Sequence, residues 1–279
     1  MPFEGEKTVA DTQRLDAFLV ANGMAGGREK AKELIRDGAV TVNGKVIDKA
    51  SFGVSENDVV VCEKEACAYV GRGGLKLEKA LTVANLTLTD AVAMDIGAST
   101  GGFTHCLLKN GAAKVYAVDV GHGQLHPTLC ADARVENWEG TDVRSEKLKA
   151  MVPASSIDVI TADVSFISLR QVLPYALPFL KDGGTAIVLI KPQFEAGKAD
   201  VGKGGIVRKQ SVHVRVLREL TDCFMQNGCA VSHLTVSPIL GGAGRNRGNI
   251  EYLAVLKKGD CSSAIEDIRC LVEDAFCEF

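Results

Sequence analysis

Several absences narrow what this chain can be. No apolar run approaches the roughly 18 residues that a membrane span requires, and the start, MPFEGEKTVADTQ, carries acids but no apolar signal core. These absences predict a soluble, cytoplasmic protein with no membrane partner. The nine cysteines are an odd number and contain no C-x-x-C pair, so neither a zinc site nor a complete disulfide framework is expected. They are expected to be reduced and mostly buried, with no metal. Basic excess is also lacking: the formal net charge is −3, so any nucleic-acid contact must come from local clusters. At 279 residues the chain is long enough for two domains and a sizeable core.

The segment from Val92 to Leu108 (VAMDIGASTGGFTHCLL) reads as a strand ending in an acid, Asp95, a turn at Gly97, and a helix opened by Gly101-Gly102. A second acidic strand end, Asp119 in KVYAVDV, follows 24 residues after Asp95. Glycines there let the backbone approach a nucleoside closely, and the second carboxylate is placed for ribose hydroxyls. A dinucleotide calls for G-x-G-x-x-G so that helix N–H groups reach a pyrophosphate. This loop reads G-x-x-x-G-G, with Ala98 at a nominal glycine position, which favours S-adenosylmethionine, a cofactor without phosphate. Asp95, the run Gly97, Ala98, Ser99, Gly101 and Gly102, and the adjoining Phe103 are expected around its methionine part, with Asp119 on the ribose. Asp142 in GTDVR is a candidate for the adenine amino group or a simple helix cap. The plain alternative for the whole segment is an ordinary strand–helix turn.

The remainder alternates strand and helix, as a doubly wound sheet requires. Strands are expected at 92–96, 114–118, near 134–136, and at 157–162, 185–190, 230–236 and 250–256, and helices near 102–110, 167–180 and 208–226. The last two strands are joined by a glycine-rich loop too short for a crossover helix, so they should pair antiparallel. The expectation is an α/β fold, a seven-stranded Rossmann-like sheet with one reversed strand. A C-terminal helix follows, with Ile265, Ile268, Val272 and Phe276 on one side.

Ahead of that sheet lies a small α+β region. Leu15, Phe18 and Leu19, then Ala31, Leu34 and Ile35, give two short amphipathic helices. Val40 to Val42, the Asn43-Gly44 turn and Lys45 to Ile47 form a hairpin signal, and Asp58 to Val61 a last short strand. Arg28, Lys32 and Arg36 are spaced by four, a basic ridge suited to phosphates; the neighbouring Glu29, Glu33 and Asp37 suit a solvated face equally well. The boundary falls at Cys67 to Val70, before the glycine-rich GRGG. This divides the chain into a small N-terminal domain over 1–66, a linker over 67–70 and a larger domain over 71–279. Beyond the linker, Leu77, Ala80, Leu81 and Ala84 form an apolar stripe that leaves Arg72, Lys76 and Lys79 on the other face, either solvated or facing substrate. Lys191 to Arg218 carries seven Lys or Arg against two acids and four glycines, which suits a mobile loop facing RNA or a solvated insertion.

Chemistry in such a sheet gathers at the carboxyl ends of the strands. Asp163 ends the fourth and Lys191 the fifth, while Glu251 lies inside the last. Each alone has a structural explanation. With Lys76 they give Lys-Asp-Lys-Glu, and that order, in the contexts DVSF, IKPQFEAG and GNIEYL, resembles the ribose 2′-O-methyltransferases of the FtsJ type. RLDAFLVANGMAGGREKAKELIRDGAVTVNGKVI resembles the RNA-binding module first seen in ribosomal small-subunit protein S-four. Together with YVGRGGLKLEKAL and DIGASTGGFT, they make the chain resemble the TlyA (haemolysin A) family nearly end to end.

The resemblance implies methylation of a ribose 2′-hydroxyl in ribosomal RNA, at a cytidine, with ribosomal RNA or ribosomal subunits as partner. Three departures stand out. Gly27 replaces an expected capping serine, Cys67 replaces a commoner basic linker residue, and the loop GGAGRNRGN, with Arg245 and Arg247 facing RNA, is longer and more basic than expected. Two absences agree with a ribose acceptor. Asp163-Val164-Ser165-Phe166 is not the D/N-P-P-Y/F turn that grips a flat base, and no proline precedes a cysteine as in cytosine-C5 enzymes. Lys191 then has two open roles, neutral base or cation steadying a developing alkoxide. Asp163 and Glu251 would orient the lysines, and Lys76 would contact ribose or phosphate. A nicotinamide oxidoreductase, a cytolysin and a non-catalytic RNA-binding protein are the rival classes.

Overall fold

The computed structural model describes residues 12–36, 38–62, 68–242, 248–259 and 267–279, without the side chain of Glu33. Arg245, Arg247, Cys67 and Ile265 lie outside the described residues. The chain divides into two compact units, whose described parts are 12–36, 38–62 and 242 in the first and 68–241, 248–259 and 267–279 in the second.

In the first unit β1 (Gln13–Arg14) leads into α1 (Leu15–Ala21), followed by α2 (Arg28–Arg36), β2 (Val40–Val42), β3 (Lys45–Val46), β4 (Gly53–Val54) and β5 (Val60–Cys62). Leu15 and Leu19 on α1 and Ala31 and Ile35 on α2 are fully buried in one core with Val40 and Val42, so the two amphipathic stripes read from the sequence face a common interior. Asn43 (φ 53°) and Gly44 (φ 75°) are both left-handed, as a two-residue hairpin turn needs, and β2 pairs antiparallel with both β3 and β5. The last strand starts two residues later than expected. Asp58 instead closes a turn, accepting from the Ser55 amide at 2.8 Å and from Asn43 Nδ2 at 2.7 Å.

The second unit runs α3 (Gly73–Val83), β6 (Val92–Ile96), α4 (Gly102–Lys109), β7 (Lys114–Asp119), α5 (Pro127–Cys130), β8 (Val135–Glu139), α6 (Glu146–Met151), β9 (Ile157–Ala162), α7 (Leu169–Ala176), β10 (Leu180–Ile190), α8 (Pro192–Glu195), α9 (Gln210–Gln226), β11 (Cys229–Val236), β12 (Tyr252–Lys258) and α10 (Ile268–Glu278). Seven strands form one sheet in the order β11-β12-β10-β9-β6-β7-β8. Only β12 is reversed, antiparallel to both β10 and β11. Both faces are covered by apolar clusters, which explains the near-continuous hydrophobic runs of the central strands.

Some boundaries differ from the sequence reading. Helix α7 stops at Ala176, and Leu177–Phe179 turns as a 3-10 helix, because Pro178 has no N–H to continue the α-helical ladder. Strand β12 begins at Tyr252, so Glu251 precedes the strand instead of lying inside it. Burial of the cysteines is also less general than expected. Of the described ones Cys106 and Cys229 are buried, Cys62 and Cys223 are half-buried, and Cys130, Cys270 and Cys277 are exposed. Two of the exposed ones sit on α10, which covers the sheet with one face only. No helix among the described residues is long and apolar enough to cross a membrane.

Candidate active site

The loop after β6 is held tightly against its neighbours. Gly97 and Ala98 both donate their amides to Val118 O, at 2.8 and 3.2 Å. A Cβ at Gly97 (φ +80°) would stand 2.5 Å from the carbonyl oxygen of Asp163, so only glycine lets these two strand ends approach. Gly101, at φ +93°, starts α4. At the end of β7 the Asp119 carboxylate accepts from the Ser99 amide and the Gly121 amide, each at 2.7 Å, tying the first loop to the second. A carboxylate has about four acceptor positions, so Asp119 keeps capacity for ligand hydroxyls.

Two cavities open at these strand ends. The first, about 360 Å³, is lined by Asp119 and Asp142 on one side and by Val118, Val143, Ile167 and Phe166 on the apolar side. The second, about 260 Å³, is lined by Arg72, Gly73, Ala98, Gly102, Phe103 and Lys191 among others. Gly97, Ser99, Asp163 and Ser165 line both and form the seam between them.

At that seam Lys191 Nζ lies 2.6 Å from Asp163 Oδ1 and donates to Ser165 Oγ at 2.8 Å. Both partners of the ion pair are only 11% and 21% exposed. The other two residues of the expected quartet form a separate pair: Lys76 Nζ meets Glu251 Oε2 at 2.6 Å, and Glu251 Oε1 takes a long contact of 3.4 Å from Gln193 Nε2. Lys76 and Glu251 are buried and line neither cavity. The four residues thus make two ion pairs. Gln193, two positions beyond Lys191, reaches from the neighbourhood of one pair to the other.

Asp95 differs from expectation. It is fully buried below the loop, with Thr104 Oγ1 donating at 2.7 Å and Thr161 Oγ1 at 2.8 Å, and it lines neither cavity. Burial pushes its carboxyl up to about 6, against the lowering effect of the two threonines. Its visible work is to join β6, β9 and α4. Asp142 lines the first cavity but is paired with Arg144 at 2.6 Å, which holds its carboxyl below the usual range.

The expected RNA-facing residues divide. Lys76 turns inward, away from the exposed Lys79, because Glu251 compensates it in the interior. Arg72 is half-buried in the second cavity wall. On α2 Arg28 is committed to the fully buried Asp16 at 3.1 Å, and Lys32 meets Glu29 at 2.6 Å, while Arg36 is exposed. Asp16 went unrecognised in the sequence; hydrogen bonds from Arg14, then Arg28, bring its carboxyl down to about 2 despite burial. The glycine-rich loop after α8 is tied to neighbouring elements. Arg215 binds Asp200 at 2.7 Å, and Asn249 Oδ1 accepts from the Val207 amide at 2.9 Å.

Sequence reasoning also passed over Phe166. It stands 91% exposed at the rim of the first cavity with φ 65°, its ring 5.1 Å from that of Phe194. A large apolar side chain in a left-handed conformation and open to solvent is unusual. The segment DVSF contained it, yet nothing in the residue types announces that turn.

Comparison with known proteins agrees with this architecture. The FtsJ-like methyltransferase family matches residues 69–258 and the S4 domain residues 13–60. The YqxC protein of Bacillus subtilis, described as a candidate rRNA methyltransferase, is 44% identical over 86% of this chain and 84% of its own. The 16S/23S rRNA (cytidine-2′-O)-methyltransferase TlyA of Mycobacterium tuberculosis is 38% identical over 89% of this chain and 91% of its own. A solved structure described as a candidate hemolysin, from Streptococcus thermophilus, superposes with a TM-score of 0.74 at 41% identity, covering 96% of each chain. The chain therefore belongs to the FtsJ-like methyltransferases, in the TlyA group that carries an S4 domain ahead of the methyltransferase unit.

Proposed function

We propose that this enzyme methylates the ribose 2′-hydroxyl of a cytidine in ribosomal RNA, using S-adenosylmethionine, in the cytoplasm where that RNA is found. The observation that carries the reading is Lys191, held with Asp163 and Ser165 at the seam between the two cavities.

The residues present fit the cofactor. Asp119 would take its ribose hydroxyls, the apolar wall of Val118, Val143 and Ile167 its adenine, and the Gly97–Gly102 backbone its methionine part. When bound, it supplies a sulfonium methyl group to an incoming nucleophile. Asp142 can receive the adenine amino group only by sharing its carboxylate with Arg144. Asp95 acts beneath the loop, keeping the pocket's walls in register.

On the acceptor side Lys191 receives or balances charge as the ribose oxygen loses its proton. Asp163 orients it. Collinear placement of oxygen, methyl and sulfur should supply most of the acceleration. Lys76 and Glu251 support the site from within, and Phe166 offers a face on which a base can stack. Residues 1–66 serve as RNA-capturing domain, 67–70 as linker and 71–279 as catalytic domain. Lys32 and Arg36, with Lys79 and Arg72, are the described cations that would meet phosphate, and Arg28 contributes through its fold-holding pair with Asp16.

A non-catalytic RNA-binding protein is the competing reading, since the S4 domain alone would account for RNA affinity. Transfer of labelled methyl from S-adenosylmethionine to ribosomal RNA, followed by mapping of the modified nucleotide, decides between them. Label on a cytidine 2′-oxygen is expected; RNA binding without transfer, or label on a base, would overturn the proposal.

A further inference from the structure

We propose that Ser165 is a positioning residue for Lys191, fixing where its amine sits and how readily it gives up a proton. The inference rests on the reading of Lys191 as the group at the reacting oxygen. Three observations carry it. Lys191 Nζ donates to Ser165 Oγ at 2.8 Å, so the hydroxyl oxygen accepts and its own hydrogen points elsewhere. Ser165 is exposed and lines both cavities, so that hydrogen is free to face a bound molecule. Asp163 Oδ1, although 2.6 Å from the same amine, is buried and takes no aligned hydrogen bond.

The ammonium is therefore pulled by Asp163 through charge and steered by Ser165 through direction. Without the hydroxyl only the charge of Asp163 would hold the amine, and its direction at the seam would be lost. A lysine ammonium has three donors. With one on Ser165 and one toward Asp163, the third is left for the second cavity, whose wall Lys191 helps to form. Ser165 is built to do this locally. It precedes Phe166, whose left-handed backbone turns the chain sharply, and the segment is anchored two residues on. There the half-buried Glu195 accepts from Ser168 Oγ at 2.6 Å and from the Leu169 amide at 2.7 Å. Glu195 ends α8, the helix that Lys191 precedes, so the serine and the lysine are carried by two segments bolted together.

An acceptor bonded to an ammonium favours its charged form. Removing it should make Lys191 lose its proton at lower pH, a change that a merely structural serine would not produce. The test is single-turnover methylation of ribosomal RNA, over a range of pH, by Ser165→Ala, Ser165→Thr and Lys191→Ala. Expected are a loss of about tenfold or more in Ser165→Ala, with the limb of its profile that tracks Lys191 (acid for a base, alkaline for a cation) moved to lower pH, and recovery to within a few-fold in Ser165→Thr, which restores the hydroxyl. A wild-type rate and profile in Ser165→Ala, beside an inactive Lys191→Ala, would overturn this proposal alone. So would a threonine variant as impaired as the alanine one. A Lys191→Ala enzyme as fast as wild type would instead overturn the underlying reading of Lys191, and this proposal with it.

Discussion

Lys76 and Glu251 are 175 positions apart in the chain and 2.6 Å apart in the fold, both buried. The pair joins the first turns of α3 to the start of β12, so it closes the methyltransferase unit across most of its length. Removing one partner of a buried pair leaves the other uncompensated, typically at a cost of about 3–5 kcal/mol. Glu251→Ala should therefore lower the denaturation midpoint strongly. Replacing both, Lys76→Met with Glu251→Leu, should restore much of the stability. If the pair also serves catalysis, the double variant will be folded and inactive; a folded double variant with wild-type methylation would reduce the pair to a structural clasp.

Asp95 gives a prediction in pH. Its carboxyl is raised to about 6 in the folded protein by burial, against about 3.9 in an unfolded chain. The folded state therefore holds the proton more firmly than the unfolded one, and stability attributable to this group falls as pH rises from about 4 to about 6. Above that window the buried charge costs on the order of 3 kcal/mol. Asp95→Asn removes the titration. The stability difference between variant and wild type, measured by denaturant unfolding, should shift in the variant's favour across that window and be level above it. A difference that does not change between pH 4 and 7 would show that the two threonine hydroxyls already offset the burial.

How far the sequence revealed these features depends on their physical origin. The sheet was legible because hydrophobic runs, turn glycines and acids at strand ends are local signals, and so was the single reversed strand, because Gly241 to Asn249 cannot hold a crossover helix. The four ionic residues were found through their order in the chain. Their pairing, Lys191 with Asp163 and Lys76 with Glu251, is a matter of side-chain reach in three dimensions and left no trace in spacing. Lys76 was grouped with Arg72 and Lys79 because helical periodicity assigns a face and says nothing of a carboxylate arriving from residue 251. Asp95 is ambiguous in the sequence for a similar reason. An acid at a strand end reads the same whether it points up into the pocket or down between threonines of β9 and α4.

Phe166 offers a test of the acceptor side that leaves the core alone. Its side chain is 91% exposed, so Phe166→Ala should leave stability within about 0.5 kcal/mol of wild type, and alanine keeps the same left-handed backbone penalty. Stacking of a base on an aromatic ring contributes about 1–3 kcal/mol, which corresponds to roughly a five- to hundredfold change in binding. The variant should show that loss in kcat/KM for RNA with unchanged affinity for S-adenosylmethionine. An RNA kcat/KM equal to wild type would remove the ring from the substrate path.

The most direct test of the chemistry is at Lys191. An unperturbed lysine has a pKa of about 10.4, and each unit of depression costs about 1.4 kcal/mol, so a base near neutral pH needs about 4 kcal/mol of environmental help. Arginine is the natural probe of which role Lys191 takes, because it cannot deprotonate near neutral pH. Lys191→Ala should reduce single-turnover methylation by at least about a hundredfold, the lower end for lost acid–base assistance, with little change in cofactor affinity by calorimetry. Substantial activity in Lys191→Arg would assign the residue to electrostatic steadying of the developing alkoxide, whereas an inactive arginine variant that still binds cofactor and RNA would favour the base. Wild-type rates in both variants would remove Lys191 from the reaction, and with it the case for a ribose hydroxyl as the acceptor.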